Sequence, residues 1–171
     1  MGKDGSAGFL TTRLDEVVNF FRKNSVWPLP FGTSCCGIEM MATLCSDYDM
    51  SRFGAEVVRF SPRQSDLLIV AGIVVSKMAP VMRNVYDQMS EPKYVMSFGA
   101  CASSGGIFNV YSVAQGIDTV VSVDVYVPGC PPAPEGVMNG LLRLQDMIQK
   151  GETQFQLKQK GLTKRNKVIA T

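Results

Sequence analysis

The sequence of 171 residues contains no histidine. Mixed Cys/His zinc sites, His-ligated haem, Ser-His-Asp triads and imidazole general bases are therefore excluded within this chain. Charge is scarce as well: 19% of residues are Asp, Glu, Lys or Arg and the net charge is +2, too little for a nucleic-acid footprint, so no nucleic-acid partner is expected. The longest apolar run, LLIVAGIVV at 67–75, is about half of the ~20 residues a membrane helix needs, which makes it a buried strand and its exit. The N-terminus lacks the charged, apolar and small-residue regions of a signal peptide, and no GxGxxG loop is present to hold a flavin or nicotinamide phosphate. The chain is thus expected in a reducing compartment, where cysteines serve more often as ligands than as disulfides. If metal or redox chemistry happens here, its five cysteines must carry it.

What is present reads as one domain. Apolar residues make up 46% of the chain, enough for a real core. The expected division is a flexible N-terminus at 1–11, a single α/β domain at 12–152 and a basic tail at 153–171. That tail carries Lys158, Lys160, Lys164, Arg165 and Lys167 with no acid, which suits a solvated end or a contact with an acidic partner or anionic lipid. A helix is signalled at about 12–24 by the capping pattern of Thr12 and Asp15, with Leu14, Val17, Val18 and Phe21 at helical spacing. WPLPFG at 27–32 is a short extended segment whose prolines suit a strand start or an edge, and GIEMMATLC reads as a helix of about 37–46.

Strand and helix patterns then alternate. EVVRF at 56–60, DLLIVAG at 66–72, KYVMSFG at 93–99 and TVVSVDVYV at 119–127 have strand character. Helices are expected at 77–89, with Pro80 in the first turn, and at 134–150, opened by Pro134 and Glu135 and closed by Lys150 and Gly151. Mostly apolar strands alternating with helices indicate a parallel sheet covered on both faces, a flavodoxin-like α/β fold.

Four cysteines fall just past expected strand C-termini, where open parallel sheets gather their ligand sites. Cys35 and Cys36 follow the first strand, Cys101 in GACASSGG follows KYVMSF, and Cys130 in PGCPPAP follows VDVYV. Each lies in a loop rich in Gly, Pro or Ser, where a buried core cysteine is not expected, and the glycines at 99, 105, 106 and 129 let the backbone approach a bulky inorganic group. Cys45, inside an expected helix, reads as a small buried hydrophobe. Four thiolates suit zinc or an iron–sulfur cluster. Adjacent side chains diverge on regular structure, so the pair is expected on an irregular turn; the separate iron corners of a cubane accept such a pair better than one ion does.

Five motifs in order, FGTSCCGIEMM, RFSPRQSDLLIVAG, KMAPVMRNVYDQM, SFGACASSGG and VDVYVPGCPPAPEG, resemble the cluster-carrying subunit of respiratory complex I, NADH:quinone oxidoreductase, of the bacterial type. The resemblance covers about residues 25–150. It implies one [4Fe–4S] cluster on Cys35, Cys36, Cys101 and Cys130, the terminal cluster that passes electrons to quinone. It further implies Trp27, Ile38 and Met41 as quinone-pocket wall, and Glu39 and Arg63 as residues that tune the cluster. The implied partners are an upstream iron–sulfur subunit, a hydrogenase-large-subunit-like quinone-site subunit and membrane subunits, with the chain peripheral on the cytoplasmic side of the bacterial inner membrane. The small subunits of nickel–iron hydrogenases share this fold and cluster position but begin with CxxC, so the pair without a spacer separates the two branches. Departures from the family pattern are mild: Thr33 and Ser34 are polar where apolar or small residues are common, and Asn109 stands in a stretch usually richer in aromatics and histidine. The rival readings are a hydrogenase-type electron-transfer subunit and a zinc-stabilised interaction module.

Overall fold

The computed structural model describes residues 5–153 and 168–169, with side chains from 14 to 153. Helix α1 spans Gly5–Asn24, and strand β1 spans Pro28–Gly32. Helix α2 (Cys35–Ala42), strand β2 (Leu67–Ala71), helix α3 (Ala79–Gln88) and strand β3 (Tyr94–Phe98) follow. The chain continues through helix α4 (Ala100–Ser104), strand β4 (Val125–Val127), helix α5 (Pro134–Lys150) and strand β5 (Val168–Ile169). The five strands form one sheet in the order β1-β2-β3-β4-β5, every neighbouring pair parallel. Leu67 lies beside Pro28 and Tyr94, so β1, β2 and β3 start level with one another.

Both faces of the sheet are covered, as continuous apolar strands require. Along β2 the side chains alternate between two cores. Leu67, Ile69 and Ala71 join Met40 of α2 and Val137, Leu141, Leu144 and Ile148 of α5 on one face. Leu68 and Val70 join Met82 of α3, Ile117 and Val121 on the other. Each buried Leu, Ile or Met contributes about 1.5–3 kcal/mol. Helix α1 packs on α5, where the Lys23 ammonium donates to Gln149 Oε1 at 2.8 Å.

The expected α/β sandwich is therefore found, and α5 has the bounds read from its Pro134 start and its Gly151 stop, the latter at φ +71°. Other bounds moved. Helix α1 begins at Gly5, so Thr12 lies inside it and not at its start. In place of strand structure across 119–127 the chain forms a short 3₁₀ turn, Ile117–Thr119, and then β4, with Val121 and Val123 buried in the connection. EVVRF at 56–60 is not a strand, although it runs along the outer edge of β1 in the same direction: Val26 N–H donates to Gly54 O at 3.1 Å and Arg59 N–H to Pro28 O at 3.0 Å. Residues 28, 30 and 32 face that edge, and two of them are prolines with no N–H to give, so a ladder cannot form. With this segment counted as an edge, the order from it through β4 is the flavodoxin one, and β5 extends the sheet by one strand. The basic tail lies outside the described residues, apart from Thr153 and the β5 backbone, which pairs Val168 with Val125.

Candidate functional site

The C-terminal ends of the parallel strands share one end of the sheet, and the loops leaving β1, β3 and β4 deliver four cysteines there. Cys35 and Cys36 are the first two residues of α2 instead of part of an irregular turn before it. Their side chains diverge by about 100° around the helix, and Cys35 is exposed where Cys36 is buried. The residues ahead of them are pinned to the end of β2: Ile73 N–H donates to Ser34 Oγ at 3.1 Å, and Thr33 Oγ1 donates to Ile73 O at 2.6 Å. Thr33 and Ser34 are polar for that reason, since both satisfy backbone groups that leave the sheet.

Cys101 is the second residue of α4, and Cys130 follows β4 by three residues. The two loops are joined by backbone bonds from Gly99 N–H to Val127 O (2.9 Å) and from Ala100 N–H to Gly129 O (2.8 Å). Gly99 has φ +94°, and a Cβ there would stand 2.5 Å from the Cys36 sulfur; one on Gly106 would stand 3.1 Å from the Cys101 sulfur. These glycines leave the sulfurs room that any side chain would fill.

Electrostatics bring the four thiols into one group. Burial first, then the neighbouring Cys35, Cys101 and Cys130, push the Cys36 thiol up to about 11, helped by a hydrogen bond with Cys35. Burial also raises Cys101, followed by Cys130 and Cys35. Cys36 senses the other three thiols and Cys101 senses Cys130 and Cys35, so thiolates at this end repel one another and a bound cation would offset the repulsion. Among the described residues, no three His, Cys, Asp or Glu side chains group closely enough to hold a single metal ion. Four thiols lined by glycine backbone are a donor set that fits an iron–sulfur group.

Cys45 is not the buried hydrophobe expected. Helix α2 ends at Ala42, where buried Thr43 turns its Oγ1 onto Met40 O at 2.6 Å, and Cys45 lies exposed in the following turn with its thiol 3.6 Å from Met41 O.

The other expected site residues divide between the two ends of the sheet. Ile38 and Met41 sit one helical turn apart on α2, 71% and 64% exposed, so neither is core; Met40 between them takes the buried position. Glu39 is half-buried on the same helix, within electrostatic reach of Tyr48. Trp27 precedes β1, with the whole strand between it and Cys35; its carbonyl accepts from Asp66 and Leu67 N–H at the start of β2, and Arg59 stacks 5.0 Å from its ring. Arg63 is exposed in a 3₁₀ turn just ahead of β2, also at the far end. The structure therefore groups Ile38, Met41 and Glu39 with the cysteines and sets Trp27 and Arg63 apart.

Two features at the cysteine end were missed from sequence. The loop after α4 exposes Ile107, Phe108, Val110 and Tyr111 and is pinned to the loop after β2 by the Ser76 N–H to Ser112 O bond at 2.8 Å. Apolar residues without period between Gly106 and Gly116 were the available signal. Tyr48 donates to Glu135 Oε1 at 3.1 Å, tying the turn after α2 to the start of α5, and that bond is the main reason the Tyr48 hydroxyl is raised. Nothing local in the sequence pairs them.

Residues 34–144 match the family described as the NADH ubiquinone oxidoreductase 20 kDa subunit. The chain belongs to that family. An NADH-quinone oxidoreductase subunit of Cytophaga hutchinsonii is 64% identical over 140 residues, 82% of this chain and 77% of that one. Its counterpart in Flavobacterium psychrophilum is 61% identical over 142 residues, 83% of this chain and 78% of that one. Among solved structures, the membrane-bound sulfane sulfur reductase, an archaeal respiratory membrane complex, contains a chain with TM-score 0.78 and 38% identity, the match covering 85% of this chain and 84% of that one. A [NiFeSe] hydrogenase from Desulfovibrio vulgaris Hildenborough matches with TM-score 0.53 and 15% identity over 79% of this chain and 64% of that one, which is a likeness of fold. The resemblance read from the five motifs is borne out, and the hydrogenase likeness is one of fold.

Proposed function

We propose that Cys35, Cys36, Cys101 and Cys130 hold one [4Fe–4S] cluster, through which the chain serves as the terminal electron-transfer subunit of an NADH:quinone oxidoreductase. The observation that carries this is the placement of four thiols at the C-terminal ends of three parallel strands, on loops bonded to one another through Gly99 and Ala100, with Cys45 apart in the turn after α2. Bound there, a [4Fe–4S] cluster supplies a one-electron carrier between an upstream iron–sulfur subunit and quinone. The chain's own residues fix the sulfurs: the Ser34 and Thr33 bonds hold the start of α2, and the Gly99 and Ala100 bonds hold the two later loops in register. Glu39, one turn beyond Cys35, is the charge placed to tune the potential.

Ile38 and Met41 form the quinone-facing wall, because they present an exposed apolar step on the helix that begins with the cysteine pair. Trp27 is omitted from that wall, and Arg63 from the tuning residues, since each sits at the opposite end of the sheet. With no histidine, proton donors to quinone come from a hydrogenase-large-subunit-like partner packed against this end. Membrane subunits complete the assembly, with this chain peripheral on the cytoplasmic side of the bacterial inner membrane. In support, no helix among the described residues is long and apolar enough to cross a membrane, and the named relatives are bacterial.

The test is an absorption spectrum and low-temperature electron paramagnetic resonance of the anaerobically purified, reduced protein. A brown protein with the signal of one reduced [4Fe–4S] cluster is expected. A colourless protein carrying one zinc would sink the proposal in favour of the interaction module.

A further inference from the structure

At the N-terminal edge of the sheet, away from the cysteines, a pocket of about 100 Å³ is lined by Arg22, Ser25, Val26, Asp66, Pro92 and Tyr94. It is the joint between the last turn of α1 and the starts of β2 and β3. Tyr94 is 2% exposed, and among the described residues no protein group hydrogen-bonds its buried hydroxyl. The backbone around it is already paired: Tyr94 N–H donates to Asp66 O at 2.8 Å, Asp66 N–H to Trp27 O at 3.0 Å, and Val26 N–H to Gly54 O at 3.1 Å. The polar groups left to a ligand are the Tyr94 hydroxyl, the Asp66 carboxyl, and Arg22 and Ser25 at the exposed mouth.

We propose that this pocket is an internal hydration site, with an ordered water held between the Tyr94 hydroxyl and the Asp66 carboxyl, joining α1 to the edge of the sheet. A buried phenol without a partner is costly, and its proton needs an acceptor. Water both accepts and donates, so it takes the Tyr94 hydrogen bond and gives one to the Asp66 carboxyl. The pocket far exceeds the ~10–15 Å³ needed to admit one water, and the site offers the two to four polar partners that a buried water requires. A larger charged ligand is disfavoured, because the charges of Arg22 and Asp66 cancel and Val26 and Pro92 form apolar walls. Burial also holds the Asp66 carboxyl above its usual range, against the pull of the Trp27 backbone and Arg22. This site is independent of the cysteine end.

The test is a pair of structures of the intact complex, with native chain and with Tyr94→Phe, at a resolution that shows ordered water. The expected result is a peak within hydrogen-bond distance of both Tyr94 Oη and the Asp66 carboxyl, lost in the variant while the backbone of 22–26 and 92–94 stays in place. A native pocket without that peak, a pocket filled by a neighbouring subunit's side chain, or a peak unchanged by Tyr94→Phe would each overturn the assignment. If the variant does not assemble, the native map decides alone.

Discussion

Replacing Gly99 by alanine adds a single methyl group at a confined point of the cysteine end. That methyl would stand 2.5 Å from the Cys36 sulfur, on a residue at φ +94°. Comfortable contact needs about 3.5–4.0 Å, so either the sulfur or the backbone must give by roughly 1 Å. A metal site tolerates ligand displacements of about 0.2 Å. The backbone conformation, φ +94° and ψ +162°, adds about 1–3 kcal/mol for a residue with a Cβ, and the overpacking about 1–3 kcal/mol. The sum, roughly 2–6 kcal/mol, is a large share of the ~5–15 kcal/mol that keeps a domain folded. The Gly99→Ala chain is therefore expected to enter the complex at reduced level and to lose or severely distort the reduced-cluster resonance. Iron content and electron paramagnetic resonance of the purified complex measure both. A full-intensity resonance with unchanged g values would refute the reasoning, since it would mean that the Cys36 sulfur is not confined by Gly99.

Other expectations follow from the same geometry. Met41→Ala should raise the apparent KM for quinone several-fold in the intact complex while the reduced-cluster spectrum persists; a lost cluster with unchanged KM would return Met41 to a packing role. Burial and the neighbouring thiols raise Cys36 from 9.0 to about 11 in the metal-free fold. The sign follows from linkage: a raised pKa contributes stability that is fully present below about pH 9 and lost between about pH 9 and 11. Urea midpoints of the metal-free chain should fall across that window, and a flat profile would contradict the coupling. Ser34→Ala leaves the Ile73 N–H without its partner and should lower the stability of the metal-free chain by about 1–3 kcal/mol in the same assay, while the intact complex keeps its reduced-cluster resonance.

The sheet and the cysteine loops were legible because their signals are local. Pro134, Glu135, Lys150 and Gly151 mark α5 chemically at both ends, and its observed bounds agree. The alternation of apolar strands with helices gave the parallel order, and the position of Cys101 and Cys130 after strands gave the end at which they meet. What sequence could not supply was the end of a strand at which a nearby residue sits. Trp27 is close to Cys35 in sequence, but β1 lies between them and carries Trp27 to the opposite edge. Arg63 errs for the same reason, because the turn of 62–64 comes before β2 and not after it. EVVRF has the composition of a strand, and only the prolines on its neighbour withhold the ladder. The expected burial of Cys45 requires a helix that continues past Ala42, where the Thr43 hydroxyl bonds back to Met40 O and the chain turns instead. The exposed apolar residues of 107–111 were overlooked because a loop carries no period to interpret.

The central claim is the ligand set, and single cysteine replacements in the intact, anaerobically reduced complex test it most directly. Low-temperature electron paramagnetic resonance should show the [4Fe–4S] signal lost or badly perturbed in Cys35→Ala, Cys36→Ala, Cys101→Ala and Cys130→Ala, and unchanged in Cys45→Ala. A normal signal in any of the first four, or a lost one in the Cys45 variant, would contradict the account.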